Sequence, residues 1–200
     1  MDRATNRCRY RGEYFDHELG KFVTYECPRQ AVTERGFCEF HDRDYWREHE
    51  KEVRSKFEEM IKSAQENNEK LLCIGFNLPS VRIRGVFKKP VYFLGARFHQ
   101  KAYFHHAKFH QKADFSYAMF QLADFRYVEF HHEIYFHHAD FKLAKFHHAR
   151  FHQKADFSFA KFQLAYFSHA EFQLANFRDA EFNKAVFHCC LLYTSPSPRD

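Results

Sequence analysis

The chain has 200 residues, of which 45% are hydrophobic and 20% aromatic, with 27 Phe against a single Trp. A net charge of +5 is too small to argue for a nucleic-acid partner by itself, no apolar run approaches the ~20 residues of a membrane helix, and Met1-Asp2-Arg3 opens without the apolar core of a signal peptide. The six cysteines (8, 27, 38, 73, 189 and 190) suggest no disulfide framework, so a reducing cytoplasm is the expected compartment.

Residues 1–43 hold Cys8, Cys27, Cys38 and His41 at the spacing C-x18-C-x10-C-x2-H. Zn²⁺ favours four tetrahedral thiolate or imidazole ligands, and a C-x2-H pair on a turn supplies two of them from one side. Gly36 permits the tight turn such a knuckle needs. So short a segment has no room for a real core and needs a metal or disulfides to hold it. The arrangement resembles the short Cys3His modules of several families, including the plant WRC type. The first gap is the longest, which leaves His17 as an alternative to Cys8. The expectation is a structural zinc; four ligands leave no open position for catalysis. Ordinary reduced cysteines in a small cap are the plainer alternative.

Residues 44–70 are expected to form one linking, capping helix. Asp44 serves as N-cap, Trp46, Val53, Phe57, Met60, Ile61 and Ala64 make an apolar stripe, and Asn67-Asn68 marks the end. The stripe is expected to pack on the following coil or on the zinc module.

Residues 71–188 carry a five-residue frame. Val81-x-Ile83 and Val91-x-Phe93 lie ten residues apart, so the frame begins in an irregular first coil, with Gly85 and Pro90 at corners. From Phe93 to Phe187 a Phe recurs every five residues, occasionally six, and two positions before it stands a small residue, nearly always Ala. Val91 opens the run, and Val128 and Ile134 are the exceptions within it. A period of five suits neither an α-helix nor a flat strand, because successive Phe would face different ways. The chain must turn a corner at every unit, as in a solenoid.

The units Ala113-Asp114-Phe115, Ala123-Asp124-Phe125, Ala155-Asp156-Phe157 and Ala175-Asn176-Phe177 resemble the pentapeptide-repeat family, Ala-(Asp/Asn)-(Leu/Phe)-x-x. The resemblance covers about half the chain. It implies a mainly β fold, a right-handed quadrilateral β-helix with four repeats per coil and the Phe and Ala inside. Similar Cys3His modules precede pentapeptide repeats, which makes the fold expected here a solenoid with a small N-terminal zinc-type module and one linking helix.

The irregular steps support that geometry independently. Six-residue steps at 109–115, 130–136 and 151–157 recur 21 residues apart, four repeats plus one, and so fall at one corner of successive coils. A fourth, at 98–104, starts no column. Residues 107–123 reappear at 149–165, the mark of a duplicated two-coil unit. Coils stacked about 4.8 Å apart would align Lys108, Glu129, Arg150 and Glu171 in one outward column and Asp140, Lys161 and Glu181 in another, with alternating signs.

Thirteen of the 16 His lie in the repeats. His110, His131 and His152 occupy equivalent places in three coils, a candidate secondary metal-binding or pH-sensitive column; duplication of a polar residue without a binding role is the alternative. No Gly-rich phosphate loop or Ser-His-Asp arrangement suggests an enzyme. The expected function is a non-enzymatic structural or protein-interaction scaffold with an unknown protein partner. The alternatives are a metal-binding protein using the His columns and, by family analogy, a DNA mimic that binds topoisomerases. Mimicry needs an acidic face, whereas residues 91–188 hold 12 Lys/Arg against nine Asp/Glu. Residues 189–200 are expected to be a non-native tail: Cys190 to Asp200 is similar to translated library-adapter sequence. An uncapped last coil is expected to favour an end-to-end homodimer.

Overall fold

The computed structural model describes residues 6–192. The N-terminal segment forms an antiparallel hairpin, β1 (Arg11–Asp16) and β2 (Lys21–Glu26), with Arg11 opposite Glu26 and Asp16 opposite Lys21. Two helices follow, α1 (Tyr45–Glu48) and α2 (Glu50–Glu66). The rest is a solenoid of short parallel strands, about six coils long.

The expected single helix is broken. His49 leaves helical geometry, with φ −117° and ψ 31°. Asp44 makes no side-chain cap; the Asp42 carboxylate accepts the amides of Asp44 and Tyr45 instead. Val53, Phe57, Ile61 and Ala64 of the stripe are buried, and Trp46 and Met60 partly so. Asn67 caps α2, and Asn68 takes a left-handed turn out of it (φ 54°).

Strand pairing fixes the coil register. Leu71, Val91, Ala113, Ile134, Ala155 and Ala175 stack on one face, and equivalent columns occupy the other three. Each coil therefore spends four units, as the spacing of the longer steps requires. Those extra residues appear as irregularities of the parallel ladder, for example between Phe151 and Lys154. The displaced step at 98–104 appears likewise, opposite the interval Phe120 to Leu122. The frame runs one unit beyond Phe187: Leu191 pairs with Glu171 and Leu192 with Phe172. The expected tail at 189–200 thus begins inside the ladder, while residues 193–200 lie outside the described residues.

The Phe and the residue two before it fill the interior. From Phe93 to Phe172 every repeat Phe and every partner Ala, Val or Ile is essentially inaccessible. Phe104 stacks on Phe125 at 4.3 Å between ring centroids, and Phe120 on Phe141 at 4.9 Å. Rings on adjacent faces also meet edge-on, as Phe120 and Phe125 do. Offset stacks and edge contacts are the two favourable arrangements of aromatic quadrupoles.

The first coil departs from the Ala-Phe rule where the N-terminal lobe enters it. Cys73 stands in the Phe column below Phe93, because Leu71 pairs with Val91. Phe57 of α2 approaches Phe93 to 6.3 Å, next to this smaller side chain, and Phe40 stacks on Phe76 at 4.5 Å. At the hairpin tip, Asp16 is buried and accepts Lys70 at 2.7 Å. His17 is sandwiched between Tyr92 and Tyr135, and its amide donates to the Tyr92 hydroxyl.

Two predictions follow from this packing. Phe136→Ala lies mid-solenoid and should cost about 3–5 kcal/mol, whereas Phe182→Ala, at a side chain 36% exposed, should cost far less; denaturant unfolding followed by circular dichroism compares them. Burial would raise the Asp16 carboxyl, but Lys70 and the amides of Leu19 and Glu18 outweigh it and hold it below its ordinary value. The resulting stability is present above the unfolded pKa of about 4 and is lost as pH falls through the folded one. Asp16→Asn should therefore cost about 1.5–3 kcal/mol at neutral pH and flatten the acid limb of the stability profile.

Candidate metal centre

Cys8 precedes the hairpin, Cys27 follows it, and Cys38 and His41 sit on one turn. The hairpin is what fills the 18-residue gap: the Cys27 amide donates to the Tyr10 carbonyl, and the Cys8 amide to that of Arg29, bringing the two ends together. Gly36 shapes the approach to the turn. Its φ is +80°, and a Cβ there would lie 2.7 Å from the Arg9 side chain. The His41 and Asp42 amides both donate to the Cys38 carbonyl, which closes the turn.

These four residues converge. One ligand atom from each of Cys8, Cys27, Cys38 and His41 lies within 4.8 Å of all the others, and all four residues are buried. The Cys27 and Cys38 Sγ atoms are 3.8 Å apart. His41 Nδ1 is 3.5 Å from Cys8 Sγ and 3.2 Å from Cys38 Sγ. His17, the alternative ligand, lies instead at the hairpin tip, 3.9 Å from Asp114.

His41 is oriented from behind. Its Nε2 is 2.9 Å from the Ile74 carbonyl, which can only accept, so Nε2 carries the proton and the Nδ1 lone pair faces the thiols. Tyr10 stacks flat on the imidazole at 3.8 Å, and Phe76 meets it edge-on. The thiols share protons unequally. A hydrogen bond from Cys38 lowers Cys27, while the same bond and burial raise Cys38; burial raises Cys8. A buried set of three sulfurs gathered around one imidazole nitrogen is chemically suited to a cation.

The turn also ties this cluster to the solenoid. The Asn77 amide donates to the Phe40 carbonyl at 2.6 Å. Arg29 lies over the Phe40 ring and pairs with Glu39 at 2.9 Å. The Ile74 bond to His41 was not readable from the sequence, because Ile74 offers only its backbone and no pattern of side chains marks it.

The secondary column also forms. Phe109, Phe130 and Phe151 are in register, which stacks the following residues His110, His131 and His152, with ring centroids 4.7 and 4.9 Å apart. Donor atoms of His131 and His152 fall within 4.8 Å of each other and of a Glu129 oxygen. His110 is outside that donor group, and Glu129, which sequence reasoning placed only in the charge column, is inside it. Burial, then the neighbouring His152 and His110, push the His131 imidazole below its ordinary value. The charge column itself forms as expected: Lys108 to Glu129 is 3.1 Å, Arg150 to Glu129 4.0 Å and Arg150 to Glu171 3.5 Å. In the other column Lys161 pairs with Glu181 at 3.3 Å.

Residues 93–140 and 146–188 match the family described as pentapeptide repeats (9 copies). No curated protein and no solved structure shows a significant match to the chain. The four-unit coils, the buried Ala-x-Phe columns and this match agree: the solenoid carries pentapeptide repeats, with a Cys3His group gathered at its N-terminal side.

Proposed function

We propose that the protein is a non-enzymatic interaction scaffold whose N-terminal lobe is locked to the solenoid by a structural zinc ion bound to Cys8, Cys27, Cys38 and His41. The carrying observation is the convergence of these four buried ligands on one point, with His41 anchored to the first coil through Ile74. The spacing suits the metal. Tetrahedral Zn²⁺ with Zn–S near 2.3 Å and Zn–N near 2.0–2.1 Å calls for S···S of about 3.8 Å and S···N of about 3.6 Å. The Cys27–Cys38 and Cys8–His41 separations, 3.8 and 3.5 Å, are close to these, and Cys38–His41 at 3.2 Å is somewhat shorter. The His41 bond to a backbone carbonyl is the outer partner that orients zinc-bound imidazoles.

The ion would neutralise the crowded thiols and hold the hairpin, the turn and the first coil together. Protein partners would then read the outward columns of the solenoid. Alternating Lys108, Glu129, Arg150 and Glu171 speak against the uniformly acidic face a DNA mimic requires. The same reading places the protein in a reducing compartment such as the cytoplasm, where thiolates stay available for metal.

Elemental analysis of the purified, untagged chain after dialysis without chelator should find one zinc per chain, absent from Cys38→Ser and His41→Ala. A strong chelator should lower the unfolding temperature of the wild type and leave that of Cys38→Ser unchanged. A wild type free of metal would sink the zinc reading and leave a repeat scaffold with a cysteine-containing cap.

A further inference from the structure

The outward surface of the middle coils carries a second donor group, made of residues from two adjacent coils. Glu129 and His131 flank Phe130, His131 just past the end of the two-residue strand Glu129–Phe130. Residues two apart share a face, so both point outward while Phe130 points in. The pairing of Phe130 with Phe151 sets His152 directly beside His131 in the next coil. One ligand atom from each of Glu129, His131 and His152 lies within 4.8 Å of the other two.

The polar contacts leave this group incomplete. Glu129 Oε1 faces Lys108 at 3.1 Å and Arg150 at 4.0 Å, whereas its Oε2 faces His131 Nε2 at 3.2 Å. His131 Nε2 is shielded from solvent yet makes no well-formed hydrogen bond. A shielded ring nitrogen beside a free carboxylate oxygen and a second imidazole needs a partner that accepts lone pairs from all three.

We infer that Glu129, His131 and His152 form a surface site for a borderline first-row divalent cation, of the Zn²⁺, Ni²⁺ or Cu²⁺ class. Two imidazoles and one carboxylate select such metals over Ca²⁺ or Mg²⁺, which prefer all-oxygen shells. Three protein ligands leave coordination positions for water, so the site is open where the Cys3His set is closed. Lys108 and Arg150 repel an incoming cation, which makes the site exchangeable. A bound ion would clamp the third and fourth coils together. The duplicated blocks 107–123 and 149–165 supply His110 and His152 in like settings, but Glu129 lies in the intervening coil. The donor group is therefore a product of where the two copies meet.

The test is calorimetric titration of Ni²⁺ into the purified, untagged full chain, with Glu129→Gln, His152→Asn and the control His169→Asn in parallel. All four proteins keep the same Cys3His set, so any difference belongs to the surface group. The expected result is saturable binding in the wild type and in His169→Asn. Glu129→Gln and His152→Asn should each be weakened by at least the ~10–100-fold that losing even an outer partner of a ligand costs. Equal affinity in wild type and both site variants, loss only in His169→Asn, or no saturable binding in the wild type would overturn the assignment.

Discussion

The stacking of one phenylalanine on its counterpart in the next coil is the contact on which the rest depends. Neighbouring parallel strands stand about 4.7–4.9 Å apart, and offset aromatic rings are favourable at nearly the same separation. Along all four faces the centroid distances between successive Phe stay between 4.3 Å (Phe104 to Phe125) and 5.2 Å (Phe115 to Phe136). Backbone hydrogen bonding and ring packing therefore demand one and the same rise per coil. Little room remains beside the rings, which is why the position two before the Phe is nearly always Ala. Once that rise is set, every outward side chain acquires a fixed neighbour above and below. The charge column and the His column are consequences of the core.

A parallel solenoid has an end that exposes both ring faces and unpaired backbone, and the N-terminal lobe covers it. Phe40 stacks on Phe76, Phe57 reaches Phe93, and Asn77 binds the Phe40 carbonyl. The hairpin extends this cover along one flank, planting Asp16 on Lys70 and His17 between two tyrosines. The Cys3His turn carries Phe40 between Cys38 and His41. Any ion held by those ligands would thus govern the side chain that closes the core.

Much of this was legible because the repeat is so regular. The 21-residue recurrence of the longer steps gave four units per coil, and from that register the pairing of Lys108, Glu129, Arg150 and Glu171 followed. The four ligands were legible from residue type and spacing. What escaped was set by contacts distant in sequence. The gap between Cys8 and Cys27 reads as a loop until its strands are seen paired, and the capping role of Asp42 and the break at His49 depend on how the Cys3His turn delivers the chain into α1. The frame was expected to end at Phe187, with the string from Cys190 onward similar to translated library-adapter sequence. Leu191 and Leu192 nevertheless pair with Glu171 and Phe172, since main-chain pairing asks only for a compatible backbone.

Two of the four corners turn through a residue in left-handed conformation, and on this surface it is seldom glycine. His106, Tyr127, His148 and His169 line one corner, Tyr117, His138 and Phe159 the other, all with φ between 54° and 61°. Such a backbone costs an L-residue roughly 1–2 kcal/mol. Each of these rings lies nearly flat on the next, His148 on His169 at 4.9 Å and Tyr127 on His148 at 4.8 Å. Unfavourable backbone and favourable stacking thus sit on one residue. A glycine introduced at a middle rung would relax its own corner while stripping the rings above and below of a neighbour. Selection on such a corner would act on the column as a unit, and copying whole coils would propagate strain and compensation together.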